Sequence, residues 1–350
     1  MKAAQIVAQK LIKLVDVEEP DLGDASPGKI KIRLERACLC GSDSPLFNYD
    51  NNALADALLR EPNHTVRLPF VDYSSGDPYP LAVGQSIHEC LGTVVESTSS
   101  RFQEGDFVLA LPDRSAGLVE YLCASEDRAI PLPRDAVSRE EILMTQPLGT
   151  VVWAFQKLGN LLDQDVVVYG QGPMGLLVTH MAANLGAKTV VGMDKLDERL
   201  VASRKMKATH VVNVDQEDPI ATVAEITRGK MADVVFEVVG HQMQTVSYCM
   251  KLAKRLGTVL CFGVPDHEFY QEFHYSEFFR KNLTLLSSVG TNVVPNFSLA
   301  RDLIAQGRMD VSPLISHVMP FQDIQKAFEH FVDRKDGAIK VVLDYETLRS

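Results

Sequence analysis

Two groups of residues in this 350-residue chain can do chemistry. The first is Cys40-Gly41-Ser42-Asp43 together with the more distant pair His88-Glu89. Thiolate, imidazole and carboxylate are all competent zinc ligands. Spacing alone does not make them converge, and a buried thiol beside a hydrogen-bonded His-Glu pair is the other reading.

The second group is Val166 to Asp194, VVVYGQGPMGLLVTHMAANLGAKTVVGMD, which reads as strand, glycine turn, helix, strand and acid. Gly170 suits a tight turn, Gly172 lets backbone approach a pyrophosphate, and Gly175 lets helix and strand pack closely, with Pro173 and Met174 between them. The phosphates then sit at a helix N-terminus. Asp194, about 20 residues further on, is placed to accept hydrogen bonds from the adenosine ribose. A carboxylate there favours NAD over NADP, although Lys195 and Arg199 are close enough in sequence to soften the preference.

The elements that must position these residues fall into three stretches. Residues 1–146 alternate short strand patterns with turns: KIKIRLERACLC, CLGTVVES, DFVLALP and LVEYLCAS. Over 147–289, strands alternate with helices: VVVYG, TVVGMD, HVVNV, ADVVFEVVG, GTVLCFG and LTLLSSV. That pattern predicts six parallel strands in a doubly wound α/β sheet. Residues 290–350 form a helix-strand-helix-strand tail, too short for a further domain, which is expected to return to the β-rich part.

Length and composition agree with about two globular domains. Acidic residues outnumber basic ones 46 to 35, so nucleic acid and anionic membrane are not expected partners. No apolar run approaches the ~18 residues of a membrane span. The N-terminus reads as a first strand, and a cytoplasmic protein is expected. Six scattered cysteines without a CxxC pair argue against disulfides, and five of them read as small buried hydrophobes, Cys40 being the exception.

The CGSD turn, the HE pair before LGTVVE, the EGDFVLA strand, YGQGPMGLL and the tail PLISHVMPFQDIQKAFE together resemble the zinc-dependent medium-chain dehydrogenases. The resemblance covers nearly the whole chain and is nearest to the polyol, threonine and glucose dehydrogenase branches. It implies a Rossmann domain beside a GroES-like β-rich catalytic domain. It also implies one catalytic zinc per subunit, held by Cys40 and His88, with Glu89 ligating directly or through water and Gln146 at the fourth position.

By the same resemblance Ser42 relays the alcohol proton and Val289 contacts the nicotinamide carboxamide. Asp43 more naturally orients His88 than binds metal. Gln146 departs from the more usual cysteine or glutamate, and Ser44-Pro45 stands where a histidine often follows. The four-cysteine lobe is missing after EGDFVLA, so no structural zinc is expected.

The long connection Tyr49 to Val83 could wall the substrate pocket through His64, Tyr73 or Tyr79, or serve as an oligomer contact or solvent-exposed excursion. His210, His241, His267 and His330 read as structural or exposed. The strand ends Val239-Gly240 and Phe262-Gly263-Val264 are positions for nicotinamide or ordinary packing.

The expectation is an NAD-dependent zinc oxidoreductase acting on a small-molecule secondary alcohol (a polyol, sugar or hydroxy-amino acid) as a homodimer or tetramer. Two other readings stay open: a zinc-free quinone or enone reductase of the same fold, and a non-enzymatic nucleotide-binding protein.

Overall fold

A computed structural model of the chain describes residues 1–23, 27–60, 68–74, 76–240, 242, 244–265, 270 and 273–349. It divides into two compact units. One comprises Met1–Pro147, Asn292–Arg308 and Ile315–Ser350; the other comprises Leu148–Thr291 and Met309–Leu314.

In chain order the strands of the first unit are β1 (Lys2–Ala8), β2 (Leu11–Asp16), β3 (Lys29–Cys38), β4 (Glu89–Ser97), β5 (Phe107–Ala110), β6 (Tyr121–Ser125) and β7 (Ala129–Pro131). The second unit supplies β8 (Asp165–Tyr169), β9 (Thr189–Asp194), β10 (His210–Asn213), β11 (Ala232–Glu237), β12 (Ala253–Cys261) and β13 (Thr284–Ser287). The tail adds β14 (Ile315–Pro320) and β15 (Lys340–Asp344) to the first unit.

The first unit is built on a sheet in the order β14-β15-β3-β4-β5-β7, with β6 also paired to β3. All its pairings are antiparallel except β14 with β15. Ile30, Ile32 and Leu34 alternate along β3 and are fully buried, as a half-buried strand requires. Two irregularities in the β3–β4 register, at Lys31/Ile32 and Leu34/Arg36, mark bulges that add local twist.

That register brings the distant polar residues together. Cys38 at the end of β3 is the Cα partner of Glu89 at the start of β4, and also of Val342 in β15. The chain leaving β3 toward Cys40, the chain entering β4 from His88, and the start of β15 at Lys340 therefore meet at one sheet end. Behind the Cys40 turn, α1 (Ser44–Asn48) buries Phe47, whose ring lies 5.1 Å from that of Phe328 on the tail helix Ile324–Asp333. The polypeptide then continues into α2 (Asn51–Arg60).

The second unit carries a six-stranded parallel sheet in the order β10-β9-β8-β11-β12-β13, the doubly wound arrangement expected from the sequence. Val167, Val191, Met193, Val212, Val235 and Val259 form its core. Strands of such a sheet are covered on both faces, which is why they read as continuous apolar runs without alternation. Among the described residues no helix is long and apolar enough to cross a membrane.

Candidate functional site

In the first unit, one ligand atom each from Cys40, His88 and Glu89 lie within 4.8 Å of one another. Donors at about 2.0–2.3 Å from one zinc stand at most about 4.6 Å apart, so the grouping is near the size a single ion needs. It is the one such grouping found among the described residues. Gln146, in the helix Thr145–Phe155, is 6% exposed; Ser42 is exposed, and Cys40 and His88 are half-buried.

Local structure explains the placement of the turn. Cys40 has extended backbone, and its N–H donates to Asp43 Oδ2 at 2.7 Å, closing the short helix Gly41–Asp43. Asp43 Oδ1 stands 3.9 Å from His88 Nδ1, with its side chain only 2% exposed. Asp43 thus reaches both candidate ligands, fixing the backbone of one and facing the ring of the other.

Glu89 is held from the other side. Lys340 Nζ donates to both carboxylate oxygens, at 2.5 and 2.6 Å, and to Leu39 O at 3.1 Å. The side chains of this pair are 1% and 0% exposed. A lysine ammonium has three N–H groups, so all of its donors are used.

The electrostatics of this pocket favour a cation. Burial and then the Glu89 charge push the Cys40 thiol above its ordinary range, against Lys340 and hydrogen bonds from Ser42. Burial also raises Asp43 well above the usual carboxylate range, opposed mainly by His88. Lys340 is raised despite burial because Cys38, Glu89 and Cys40 face it. Cys40, Asp43 and Glu89 offer three latent negative charges against one buried ammonium. A divalent ion at Cys40 and His88 would relieve that imbalance, and in this sense the residues fit zinc.

In the second unit the glycine turn opens the helix Pro173–Asn184, with Gly172 at its N-cap and Pro173 in its first turn. Gly170 has φ +101°, a region that an L side chain avoids. A Cβ on Gly175 would meet the carbonyl oxygen of Gly170 at 1.8 Å, whereas one on Gly172 would meet only Arg199 Nη1, at 3.7 Å. The first and third glycines are therefore needed by the fold, while the second faces open space.

Asp194, at the end of β9, is fixed by backbone donors: Gln171 N to Oδ2 at 2.8 Å, and Lys195 N and Leu196 N to Oδ1 at 2.8 and 3.1 Å. Arg199 Nη1 lies 3.5 Å from Oδ2. A carboxylate has about four acceptor sites, so capacity remains for a ribose hydroxyl.

Several residues outside the motifs brace the two sites. Gln171 is buried; its amide donates to Val168 O and Gly170 O and accepts from Thr179, bracing the turn from inside. Glu237 ends β11 and accepts from Val239 N at 3.0 Å and Gly240 N at 2.9 Å. A Cβ on Gly263 would lie 2.2 Å from Gly240 N, so these two strand ends are in close backbone packing. Lys340 was visible only as a lone lysine in the apolar run AIKVVLD.

In the connection after Tyr49 the tyrosine hydroxyls have partners within the segment. Asn51, fully buried, donates to Tyr79 Oη at 2.8 Å and accepts from Tyr73 Oη at 3.2 Å, while Tyr79 Oη donates to Tyr49 O at 3.0 Å. Both tyrosine hydroxyls that the sequence offered for substrate recognition are engaged with the first residue of α2. His64 lies outside the described residues, as do His241 and His267. His210 is exposed and His330 half-buried.

All six cysteines are free, but burial is less uniform than expected: Cys38, Cys90 and Cys249 are buried, while Cys123 and Cys261 are half-buried. The latter two lie in β6 and β12 at positions where their strands are partly open. Val289 is 87% exposed.

Residues 173–306 match the family model described as zinc-binding dehydrogenase. Sorbitol dehydrogenase 2 of Saccharomyces cerevisiae is 27% identical over 355 residues, covering 97% of both chains. L-threonine 3-dehydrogenase of Bacillus velezensis is 24% identical over 341 residues, covering 93% of this chain and 94% of that one. The solved alcohol dehydrogenase of Thermus sp. ATN1 superposes with a TM-score of 0.80 at 23% identity, covering 98% of this chain and 99% of that one.

Proposed function

Because the chain belongs to the zinc-type medium-chain dehydrogenases and is an alcohol dehydrogenase-like oxidoreductase, we propose that it interconverts a secondary alcohol and its carbonyl compound, with NAD as the redox partner and one zinc per subunit. The substrate class we infer is a polyol, sugar or hydroxy-amino acid, in line with relatives named sorbitol and threonine dehydrogenases. The observation that carries this reading is the convergence of Cys40, His88 and Glu89 in a chain that also has a phosphate-binding glycine turn.

Cys40 and His88 would hold the ion with Gln146 at the fourth family position, and Glu89 beside it would act directly or through water. Its positive charge would stabilise the oxyanion that an alcohol becomes as it is oxidised. Asp43, facing His88 Nδ1, leaves Nε2 as the nitrogen for the metal and restrains the ring. Ser42 Oγ is an exposed hydroxyl beside Cys40 and would take up the alcohol proton and pass it to solvent.

In the nucleotide unit, Gly172, Pro173 and Met174 would present the N-terminus of the helix Pro173–Asn184 to the pyrophosphate. Asp194 would accept from the adenosine ribose, and its charge disfavours a 2′-phosphate, with Arg199 beside it reducing the penalty.

The test is a panel of polyols, sugar alcohols and hydroxy-amino acids assayed with NAD and NADP in parallel, with zinc quantified. About one zinc per chain and activity with NAD, both lost in Cys40→Ala, are expected. Full activity of Cys40→Ala toward quinones or activated double bonds would overturn the reading in favour of the metal-free reductase.

A further inference from the structure

The buried contact between Lys340 and Glu89 joins residues 251 positions apart and occupies both carboxylate oxygens. A Glu89 oxygen is also within 4.8 Å of the donor atoms of Cys40 and His88. One carboxylate therefore stands between two cationic partners, an ammonium that is always present and a metal ion that exchanges. Resting on the metal reading above, we propose that Lys340 is a positioning residue that keeps Glu89 out of the coordination sphere, leaving the ion to Cys40, His88 and Gln146.

The consequence is electronic. Cys40 as thiolate is then the sole anionic donor, and the ion with its ligands keeps a net positive charge. With Glu89 added, thiolate and carboxylate together would cancel the two charges of zinc. A site with a neutral amide and no carboxylate holds its metal less tightly and polarises an oxygen more strongly. Lys340 thus exchanges metal affinity for electrophilicity, and Gln146 acts in the same direction.

Leu39 O receives the third ammonium proton, at 3.1 Å, which anchors the head of Lys340 to the backbone immediately before Cys40. The ammonium is also 1% exposed, so water does not compete for it. Removing it leaves Glu89 buried without a counter-charge, and the nearest cation available is then the metal.

The experiment is zinc and cobalt(II) binding to the metal-stripped full-length chain and to Lys340→Met, Lys340→Arg and the double variant Lys340→Met/Glu89→Gln. Competition with a chromophoric chelator gives affinity; the cobalt d–d bands report coordination number. Lys340→Met should bind zinc at least tenfold more tightly than the wild type, with weaker cobalt bands as the carboxylate adds a ligand. Lys340→Arg should match the wild type, and the double variant, with no charge to release, should lose the gain and fold without metal.

Unchanged or weaker zinc binding in Lys340→Met with an unchanged cobalt spectrum would overturn the proposal. If Lys340→Met folds only with metal, the cobalt spectrum of the loaded protein against that of the double variant decides: identical spectra overturn it. Failure of the underlying metal reading is separately recognisable, because wild type and Cys40→Ala would then bind zinc equally.

Discussion

A side-chain carbon on Gly175 would come within 1.8 Å of the carbonyl oxygen of Gly170. The helix that follows the glycine turn is thus pressed against the turn itself, with no room for a methyl group. Gly175→Ala should cost about 3 kcal/mol or more through forced displacement of backbone. Gly172→Ala has space in the free protein, and its melting temperature should stay within about 2 °C of the wild type. NADH binding should nevertheless weaken at least tenfold, because the added carbon occupies the approach of the pyrophosphate. Calorimetry and NADH fluorescence titration separate the two effects; equal loss of stability in both variants would refute the distinction.

Asp194→Asn keeps an oxygen for part of the backbone cage and removes the charge. The ratio of kcat/KM with NADP to that with NAD should rise about tenfold or more, since repulsion of a 2′-phosphate is gone while the Arg199 charge stays beside the site. A ratio that does not move would remove Asp194 from the cofactor assignment.

Much of the fold could be read from sequence, and for a physical reason. A parallel sheet covered on both faces demands unbroken apolar strands, so β8 to β13 announced themselves as runs such as VVVY and TVVGM. The glycine turn was legible because each glycine answers a steric demand inside a few residues. The Cys40, His88 and Glu89 cluster was not legible in that way. Its convergence depends on the Cys38–Glu89 pairing between β3 and β4, a long-range register that spacing does not encode. Lys340 was hidden more deeply: in a strand, a lone lysine reads as a solvent-facing residue, and only burial at 1% shows otherwise.

For a related reason, Tyr73 and Tyr79 show a use that sequence could not reveal. Aromatic hydroxyls in a long connection suggest recognition, but here they satisfy a buried asparagine. Asn51→Ala should therefore destabilise the protein by about 1–3 kcal/mol, leaving two tyrosine hydroxyls short of a partner. Its kcat/KM toward the best substrate of the panel should change less than threefold. A specificity change without a loss of stability would return this segment to substrate recognition.

Chelation provides a further check. Dialysis against a strong chelator should abolish alcohol oxidation while leaving NADH binding within twofold, since the glycine turn and the Cys40 cluster belong to different compact units. Readdition of zinc should restore activity; recovery in Cys40→Ala would contradict the assignment.

Acid should loosen the first unit through its ion network. Arg36 contacts Glu140 and Asp344 at 2.6 Å and Glu346 at 2.9 Å, and Arg139 contacts Glu346 at 2.5 Å. Burial raises the Glu346 carboxyl, but hydrogen bonds from Arg139 and Arg36 outweigh it and hold it below the usual range. A depressed carboxylate contributes stability above its unfolded pKa of about 4.3, and that contribution disappears as pH falls through the lower folded value. Glu346→Gln should lower the melting temperature at pH 7 and lose the difference from wild type toward pH 3. Parallel curves down to pH 3 would refute the linkage.

The pairing of β15 with β3 also bears on how the polypeptide is made. Synthesis delivers Glu89 251 positions before Lys340, so a nascent chain carries this carboxylate without its counter-charge until β15 emerges. The contiguous stretch Leu148–Thr291, whose six-stranded sheet is complete within itself, can close earlier. Closure of the first unit therefore waits on β15, and a chain cut before that strand would leave β3 without this neighbour and Glu89 without its buried counter-charge.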